Sequence, residues 1–176
     1  MAAAMIDRFR RWFEYEQDAY AKVIASFDSV PEEKHSAPEF RKAVAMLAHI
    51  VAARHMWLGR LGVIPAVSGT MFRDDPDVDV DRVAADWQRV SGLWAEYLAS
   101  LDDPAIDREF EYQSLDAGRF RNRIEDILAQ LFGHSWYHRG QIAMLIRAAG
   151  GQPAVTDLIY CCREPISGPD AGDCHR

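Results

Sequence analysis

Hydrophobic residues recur at helical spacing in four long segments of this chain. Side chains three and four positions apart lie on one face of an α-helix, so each segment predicts a helix with one apolar face. The four predicted helices span residues 4–27, 38–61, 79–101 and 122–149. Pro38 suits the first turn of the second helix, because its missing amide hydrogen would be unpaired there anyway. The pair Gly150-Gly151 predicts the end of the fourth helix.

The segment between the third and fourth helices follows a different pattern. Polar and apolar residues alternate around Phe110 and Tyr112, which is typical of a strand, and residues 116–118 (Asp-Ala-Gly) are typical of a turn. We therefore expect an all-α fold, a four-helix bundle with one long crossover connection and a short β-hairpin before the last helix. The bundle is expected to form one domain over residues 1–164. Residues 165–176, rich in Gly, Pro and Asp, are expected to be a flexible tail.

Composition and charge narrow the class of protein. The chain has 176 residues, of which 49% are hydrophobic, and a formal net charge of -7. The negative charge argues against a nucleic-acid partner, because phosphate binding needs a basic face. No apolar stretch approaches the roughly 20 residues of a membrane span, and the first residues do not resemble a secretory signal. The three cysteines lie near the C-terminus and make a poor disulfide framework, so we expect a cytoplasmic protein.

Two histidines interrupt the apolar face of the fourth predicted helix. His134 and His138 are one helical turn apart, on the same stripe as Ile127, Leu131, Ile142 and Leu145. Buried imidazoles need polar partners, which a metal ion or a neighbouring carbonyl or carboxylate would supply. His49 lies at the edge of the apolar face of the second helix, among small residues that leave room for a pocket. The three histidines together could present three nitrogens to one metal ion.

These residues resemble a known family. Two stretches are similar to the DinB/YfiT-like family of metal-dependent enzymes: residues 47–61, which contain His49, and the run His134-x-x-x-His138-Arg-Gly-Gln. Residues 150–153 and 156–164 also resemble the C-terminal part of that family. The resemblance implies a four-helix bundle with a divalent metal ion at one end, and it carries the metal ligands over to His49, His134 and His138.

A site with three neutral imidazoles leaves coordination positions open, as in catalytic metal sites. Its ligands suit zinc or nickel first, and iron or copper next, better than magnesium or calcium. Such an ion could lower the pKa of a bound water or thiol, so hydrolysis and thiol transfer both remain open.

The resemblance favours a metal-dependent thiol S-transferase that acts on small electrophiles, with a low-molecular-weight thiol, in detoxification or a stress response. Hydrolysis of a small molecule is the alternative reaction. A non-catalytic metal-binding stress protein is the alternative of another class. Exposed faces of bundle helices often mediate self-association, so we expect a homodimer.

Four further positions bear on the site. Ser135 stands where a His-Glu-x-x-His zinc protease would have its glutamate base, so that mechanism is excluded. Gln141 either orients a ligand or water, or satisfies a buried backbone group. Arg54 lies within the apolar face of the second helix. Three interpretations are open: it pairs with a buried carboxylate, its side chain extends past the edge of the core, or it binds an anion. His55 is expected on the solvent side, away from the metal.

The remaining candidates have structural interpretations. Cys161 and Cys162 are expected to be inert residues of a packed C-terminal segment, although a redox or acceptor role remains open. The acidic run at residues 73–81 fails the calcium-loop pattern at Val80 and Asp86, so it predicts a solvated loop that leads to a helix cap. Trp57 is a candidate for the rim of the pocket.

Overall fold

The computed structural model describes residues 4–66, 79–114 and 118–165. In chain order its helices and strands are α1 Met5–Ser26, α2 Pro38–Arg60, α3 Val80–Ser100, α4 Asp103–Asp107, β1 Glu109–Gln113, β2 Arg119–Arg123, α5 Ile124–Ala148 and α6 Leu158–Cys162. The four long helices agree with the four predicted segments to within two residues at each end. Two short 3₁₀ turns, Phe27–Ser29 and Glu32–Lys34, link α1 to α2.

The ends of the long helices follow ordinary capping chemistry. Pro38 occupies the first turn of α2, as predicted. The Asp79 carboxylate accepts a hydrogen bond from the backbone N–H of Arg82 at 2.7 Å and caps α3, which confirms the predicted cap. The rest of the predicted acidic loop, residues 73–78, lies outside the described residues. Gly150 follows α5 with a φ of 90°, a left-handed conformation that ends the helix where the sequence predicted.

The side-chain contacts between helices define an up-down-down-up bundle. Phe27 of α1 packs against Phe40 of α2, so the end of α1 meets the start of α2. Arg10 donates hydrogen bonds to the carbonyl groups of Leu98 and Leu101, so the start of α1 meets the end of α3. Both α2 and α3 therefore run opposite to α1 and parallel to each other. Their connection joins opposite ends of the bundle, which confirms the predicted long crossover.

Helix α5 completes the bundle and runs parallel to α1. Phe9 stacks on Phe132 near the start of both helices, while the Ser29 hydroxyl accepts a hydrogen bond from the Gln152 N–H beyond their ends. Since α1 runs opposite to α2, α5 is also antiparallel to α2. Around the bundle the order is α1, α3, α2, α5, because each of these helices packs against the next. Large buried side chains from all four helices fill the centre: Tyr20, Leu47, Ile50, Trp87, Trp94 and Phe132.

The predicted hairpin is present between α4 and α5. Strands β1 and β2 are antiparallel, with Tyr112 opposite Phe120 and Glu111 opposite Arg121. Its turn falls partly on residues 115–117, which lie outside the described residues. The fourth predicted helix began two residues early because residues 122–123 belong to β2.

The short helices α4 and α6 were not predicted. Each has five residues, fewer than a helical period needs to become visible in the sequence. A local signal existed for α4, because Asp102 caps it through the Ala105 N–H at 2.8 Å and Pro104 follows in its first turn. None of the helices in the described ranges is long and apolar enough to cross a membrane.

Candidate metal centre

Three imidazoles meet between α2 and α5. His49 lies near the middle of α2, and the antiparallel packing of α5 places His134 and His138 opposite it. The Nε2 atom of His134 is 3.0 Å from Nε2 of His49 and 3.1 Å from Nε2 of His138. All three side chains are half-buried. The structure therefore brings together the three histidines that the sequence singled out, and such a group could hold a metal ion.

The position of this cluster corrects two expectations. The resemblance implied a site at one end of the bundle, whereas all three histidines lie near the middle of their helices. The sequence also placed His134 and His138 in the apolar stripe of α5. They lie at its half-buried margin, and the buried centre instead includes Ser135 and Arg139. The reason is that the hydroxyl groups of Tyr20 and Tyr15 reach the core from α1 and pair with these residues of α5.

Gln141 contacts His138, which lies one turn before it. The Oε1 atom of Gln141 is 2.6 Å from Nδ1 of His138, so the amide oxygen accepts a hydrogen bond from the Nδ1–H group. A neutral imidazole carries only one ring proton, so Nε2 of His138 keeps its lone pair toward the cluster. This contact is neither of the two expected for Gln141: it orients an imidazole, as residues behind metal ligands commonly do.

The surroundings of the cluster favour neutral imidazoles. Partial burial, together with smaller effects of the nearby His138, His49 and Arg54 side chains, lowers the pKa of His134 to about 4. Burial also lowers the pKa of His49, with a smaller effect of His138. At neutral pH, His134 and His49 are therefore uncharged and have lone pairs to offer. Metal ligation requires this protonation state.

The donor set and its spacing fit a divalent transition metal ion. Imidazole nitrogens bind zinc at about 2.0–2.1 Å, which brings ligands on one ion to within roughly 3 Å of each other. The measured Nε2 separations of 3.0 and 3.1 Å are of this size. Without an ion, the Nε2 atom of His134 could share a hydrogen with only one of its two neighbours. One ion would engage all three nitrogens.

A buried ion pair lies behind the cluster in the core. Arg54 pairs with Glu16 of α1, and the two side chains are only 2% and 0% exposed. The Arg54 guanidinium also lies over the ring of Phe132, 5.1 Å from its centroid. Burial raises the pKa of the Glu16 carboxyl, and Arg54 opposes this effect. Of the alternatives for Arg54, the structure confirms the buried carboxylate partner.

Sequence analysis missed Glu16, although a signal was present. Glu16 lies three residues after Phe13 and four before Tyr20, inside the apolar face of α1. A charge at such a position requires a partner, and Arg54 was already conspicuous in α2. Ser135 is buried beside this pair, with its Oγ atom 2.6 Å from the hydroxyl of Tyr20.

The C-terminal segment is held against α1 and α5 by a second buried contact. Arg139 donates hydrogen bonds to the hydroxyl of Tyr15 and to the carbonyl oxygen of Thr156. Tyr15 also donates to the carbonyl of Thr156. Helix α6 follows, but Cys161 and Cys162 are both exposed. The expectation that these cysteines pack inside the C-terminal segment is therefore wrong, because the buried anchor of this segment lies at Thr156, before α6 begins.

The other candidates lie away from the three histidines. His55 is half-buried rather than on the solvent side, because it lines a cavity of about 200 Å³ between α2 and α3 with Arg82, Asp86 and Arg89. It does not belong to the histidine cluster. Trp57 packs against Tyr112 of the hairpin, with 4.9 Å between the ring centroids.

An all-α four-helix bundle with three converging histidines defines a class of proteins fitted to bind a metal ion. A family model described as the DinB family matches residues 3–164. Protein DinB of Bacillus subtilis (strain 168) is 21% identical over 164 residues, covering 87% of this chain and 92% of that protein. No solved structure matches the chain. The chain belongs to the DinB family, as the resemblance in its sequence indicated.

Proposed function

We propose that this protein is a metal-dependent thiol S-transferase, with His49, His134 and His138 as the metal ligands. The observation that carries the proposal is the convergence of three half-buried imidazoles, with Nε2 of His134 at 3.0 and 3.1 Å from the Nε2 atoms of the other two. Zinc or nickel is the expected ion, with iron or copper next. When bound, the ion supplies positive charge that lowers the pKa of a thiol or a water molecule.

The protein's own groups have distinct parts in this proposal. The three imidazoles would hold the ion, and a set of three ligands would leave coordination positions open for a further ligand. Gln141 fixes the ring of His138 through the 2.6 Å hydrogen bond at Nδ1. The half-buried setting keeps part of the surrounding water away and strengthens the electrostatic effect of the ion.

The choice of a thiol over water rests on the charges around the cluster. The ionisable side chains that shift the pKa of His134 are all basic and include no carboxylate: His138, His49 and Arg54. Hydrolysis is usually assisted by a general base, commonly a carboxylate or histidine within hydrogen-bond reach. Ser135, which replaces the protease glutamate, is fully buried and bonded to Tyr20. A thiol needs less help from a base, because its ordinary pKa of about 8.5 is far below that of water, about 15.7, so a bound ion would supply thiolate more readily than hydroxide.

The proposed reaction is a nucleophilic substitution. The thiol releases its proton to solvent, and the sulfur lone pair forms a bond to an electrophilic carbon of the substrate. The bond from that carbon to the leaving group breaks, and the leaving group departs with the bonding electron pair. Detoxification or a stress response in the cytoplasm is the setting we propose, with a homodimer as the working form.

The test is an activity assay of the metal-loaded protein with a panel of low-molecular-weight thiols and small alkylating electrophiles. Turnover should require both metal and thiol, and His134→Ala should abolish it. His55→Ala is the matched control, because this histidine lies on α2 but outside the cluster. Ester or amide cleavage without thiol would replace the proposal by a hydrolase. Metal binding with no turnover of any panel member would indicate a non-catalytic metal-binding protein.

A further inference from the structure

The stripe of α2 that carries His49 continues to the last residue of the helix. Residues 4, 7 and 11 positions after His49 share its face, and these are Ala53, Met56 and Arg60. On the facing helix, the stripe with His134 continues through Leu131 and Ile127 toward the hairpin. Because α2 and α5 are antiparallel, the two stripes run side by side from the histidine cluster to Arg60.

Arg60 is held in a defined orientation by aromatic rings. Its guanidinium carbon lies 4.8 Å from the ring centroid of Trp57 and 5.3 Å from that of Tyr112. The two rings are themselves in edge contact at 4.9 Å. Trp57 precedes Arg60 by almost one turn, so the arginine side chain leans back along α2 toward His49. At 1.5 Å per residue, the backbone of Arg60 lies about 16.5 Å along the helix from His49, and its guanidinium, level with Trp57, lies about 12 Å from it.

The charge of Arg60 is not neutralised within the part of the chain that the structure describes. No carboxylate there pairs with it, and the ionisable group beside it is the phenol of Tyr112, which is neutral at ordinary pH. The Arg60 side chain is half-buried, and this burial lowers its pKa. The nearby hairpin carboxylates are already engaged, since Glu109 and Glu111 pair with Arg121. A half-buried, oriented guanidinium without an anionic partner is suited to bind an anion.

We propose that Arg60, on its platform of Trp57 and Tyr112, binds the anionic group of a substrate or cosubstrate whose reacting atom lies at the histidine cluster. The ligand class is a small molecule that carries a carboxylate or phosphate roughly 10 Å from its reacting atom. The position of the reacting atom rests on the proposed function, whereas anion binding by Arg60 does not. Arg60 is thus assigned a role in specificity.

The test measures binding of benzoate and phenyl phosphate, with benzamide as the uncharged control, by ligand-observed NMR. The protein is stripped of metal and dialysed, so that neither an ion nor a chelator competes for the anions. Arg60→Gln should weaken binding of at least one anion by about tenfold or more, because hydrogen bonds to charged groups are the strong ones. The anion affinity of Arg60→Lys should lie between those of the unmodified protein and of Arg60→Gln. Benzamide binding should not change in either variant.

The controls separate this inference from the proposed function. Arg119→Gln removes an exposed hairpin arginine that pairs with Glu111, and it should leave anion binding unchanged. Metal affinity should be the same in Arg60→Gln and in the unmodified protein, and His49→Ala should retain anion binding. A lower Tm for Arg60→Gln with unchanged anion affinity would overturn the inference. Arg60 would then only stabilise the end of α2. Absence of binding of both anions at millimolar concentration would overturn it as well.

Discussion

Gln141 and His138 form a hydrogen bond in which the amide oxygen accepts from the imidazole Nδ1–H at 2.6 Å. The two residues are three positions apart on α5, so the helix itself holds them in contact. This bond decides which ring nitrogen of His138 carries the proton. It therefore directs the lone pair of Nε2 toward His134 and His49.

Replacement of Gln141 should weaken metal binding without removing a ligand. Gln141→Leu should lower the affinity for zinc about ten- to a hundredfold, because the ring of His138 loses the acceptor that orients it. Gln141→Glu keeps an acceptor at the same place and should retain or raise the affinity. Competition with a chromogenic chelator measures both values. Equal affinity of Gln141→Leu and the unmodified protein would show that packing alone orients His138.

Each of the three histidines should be needed for metal retention, because all three would bind the same ion. We expect one zinc or nickel ion per chain in the unmodified protein, and loss of most of it in His49→Ala, His134→Ala and His138→Ala. Inductively coupled plasma mass spectrometry of purified protein gives the stoichiometry. His55→Ala should retain full occupancy, since His55 lies in the cavity between α2 and α3. Full occupancy in His134→Ala would contradict the three-ligand site, because its Nε2 atom contacts both others.

The long helices and the hairpin could be predicted from the sequence because their patterns are local. Phe110 and Tyr112 alternate with charged residues, and each long helix repeats its apolar positions over many turns. The histidine cluster was a hypothesis from the residues of two helices, and the family resemblance strengthened it. Spacing within α5 puts His134 beside His138, but the contact with His49 depends on the register between α2 and α5.

Other features depend on contacts that no local pattern contains. Ser135 and Arg139 occupy the buried centre of α5 because Tyr20 and Tyr15 reach them from α1. A hydrophobicity pattern expects apolar residues at such positions. The predicted buried face of α5 was therefore centred on the side of the helix that carries the two histidines, instead of the neighbouring side that is buried. The exposure of Cys161 was likewise unpredictable, because it depends on where the segment after α5 is anchored.

The stability of the metal-free protein should depend on pH through His134. Its pKa is about 4 in the folded protein, below the ordinary value of 6.5. Between pH 6.5 and pH 4 the unfolded chain binds a proton at this position that the folded protein does not. The free energy of unfolding should therefore fall as pH is lowered through this window.

Urea unfolding at several pH values, with and without the substitution His134→Gln, measures the effect. The variant should lose part of the pH dependence between pH 6.5 and pH 4, because its side chain does not titrate. His55→Gln is the matched control and should keep the slope of the unmodified protein. Parallel curves for His134→Gln and the unmodified protein would assign the pH dependence to other groups.

Breaking the buried pair of Glu16 and Arg54 should lower the free energy of unfolding strongly, whereas replacing both residues by apolar ones should lower it much less. Arg54→Met leaves the Glu16 carboxylate in the core without its partner, and it should lower the free energy of unfolding by about 3 to 5 kcal/mol. The double substitution Glu16→Leu with Arg54→Met removes both charges and should recover most of this loss. Denaturant unfolding of the metal-free protein separates this effect from metal binding.

Arg89→Gln breaks an exposed pair with Asp86 and should change the stability by less than about 1 kcal/mol. If the double variant were as unstable as Arg54→Met alone, the loss would come from packing of the long arginine side chain against Phe132 and Trp94, rather than from an unpaired charge.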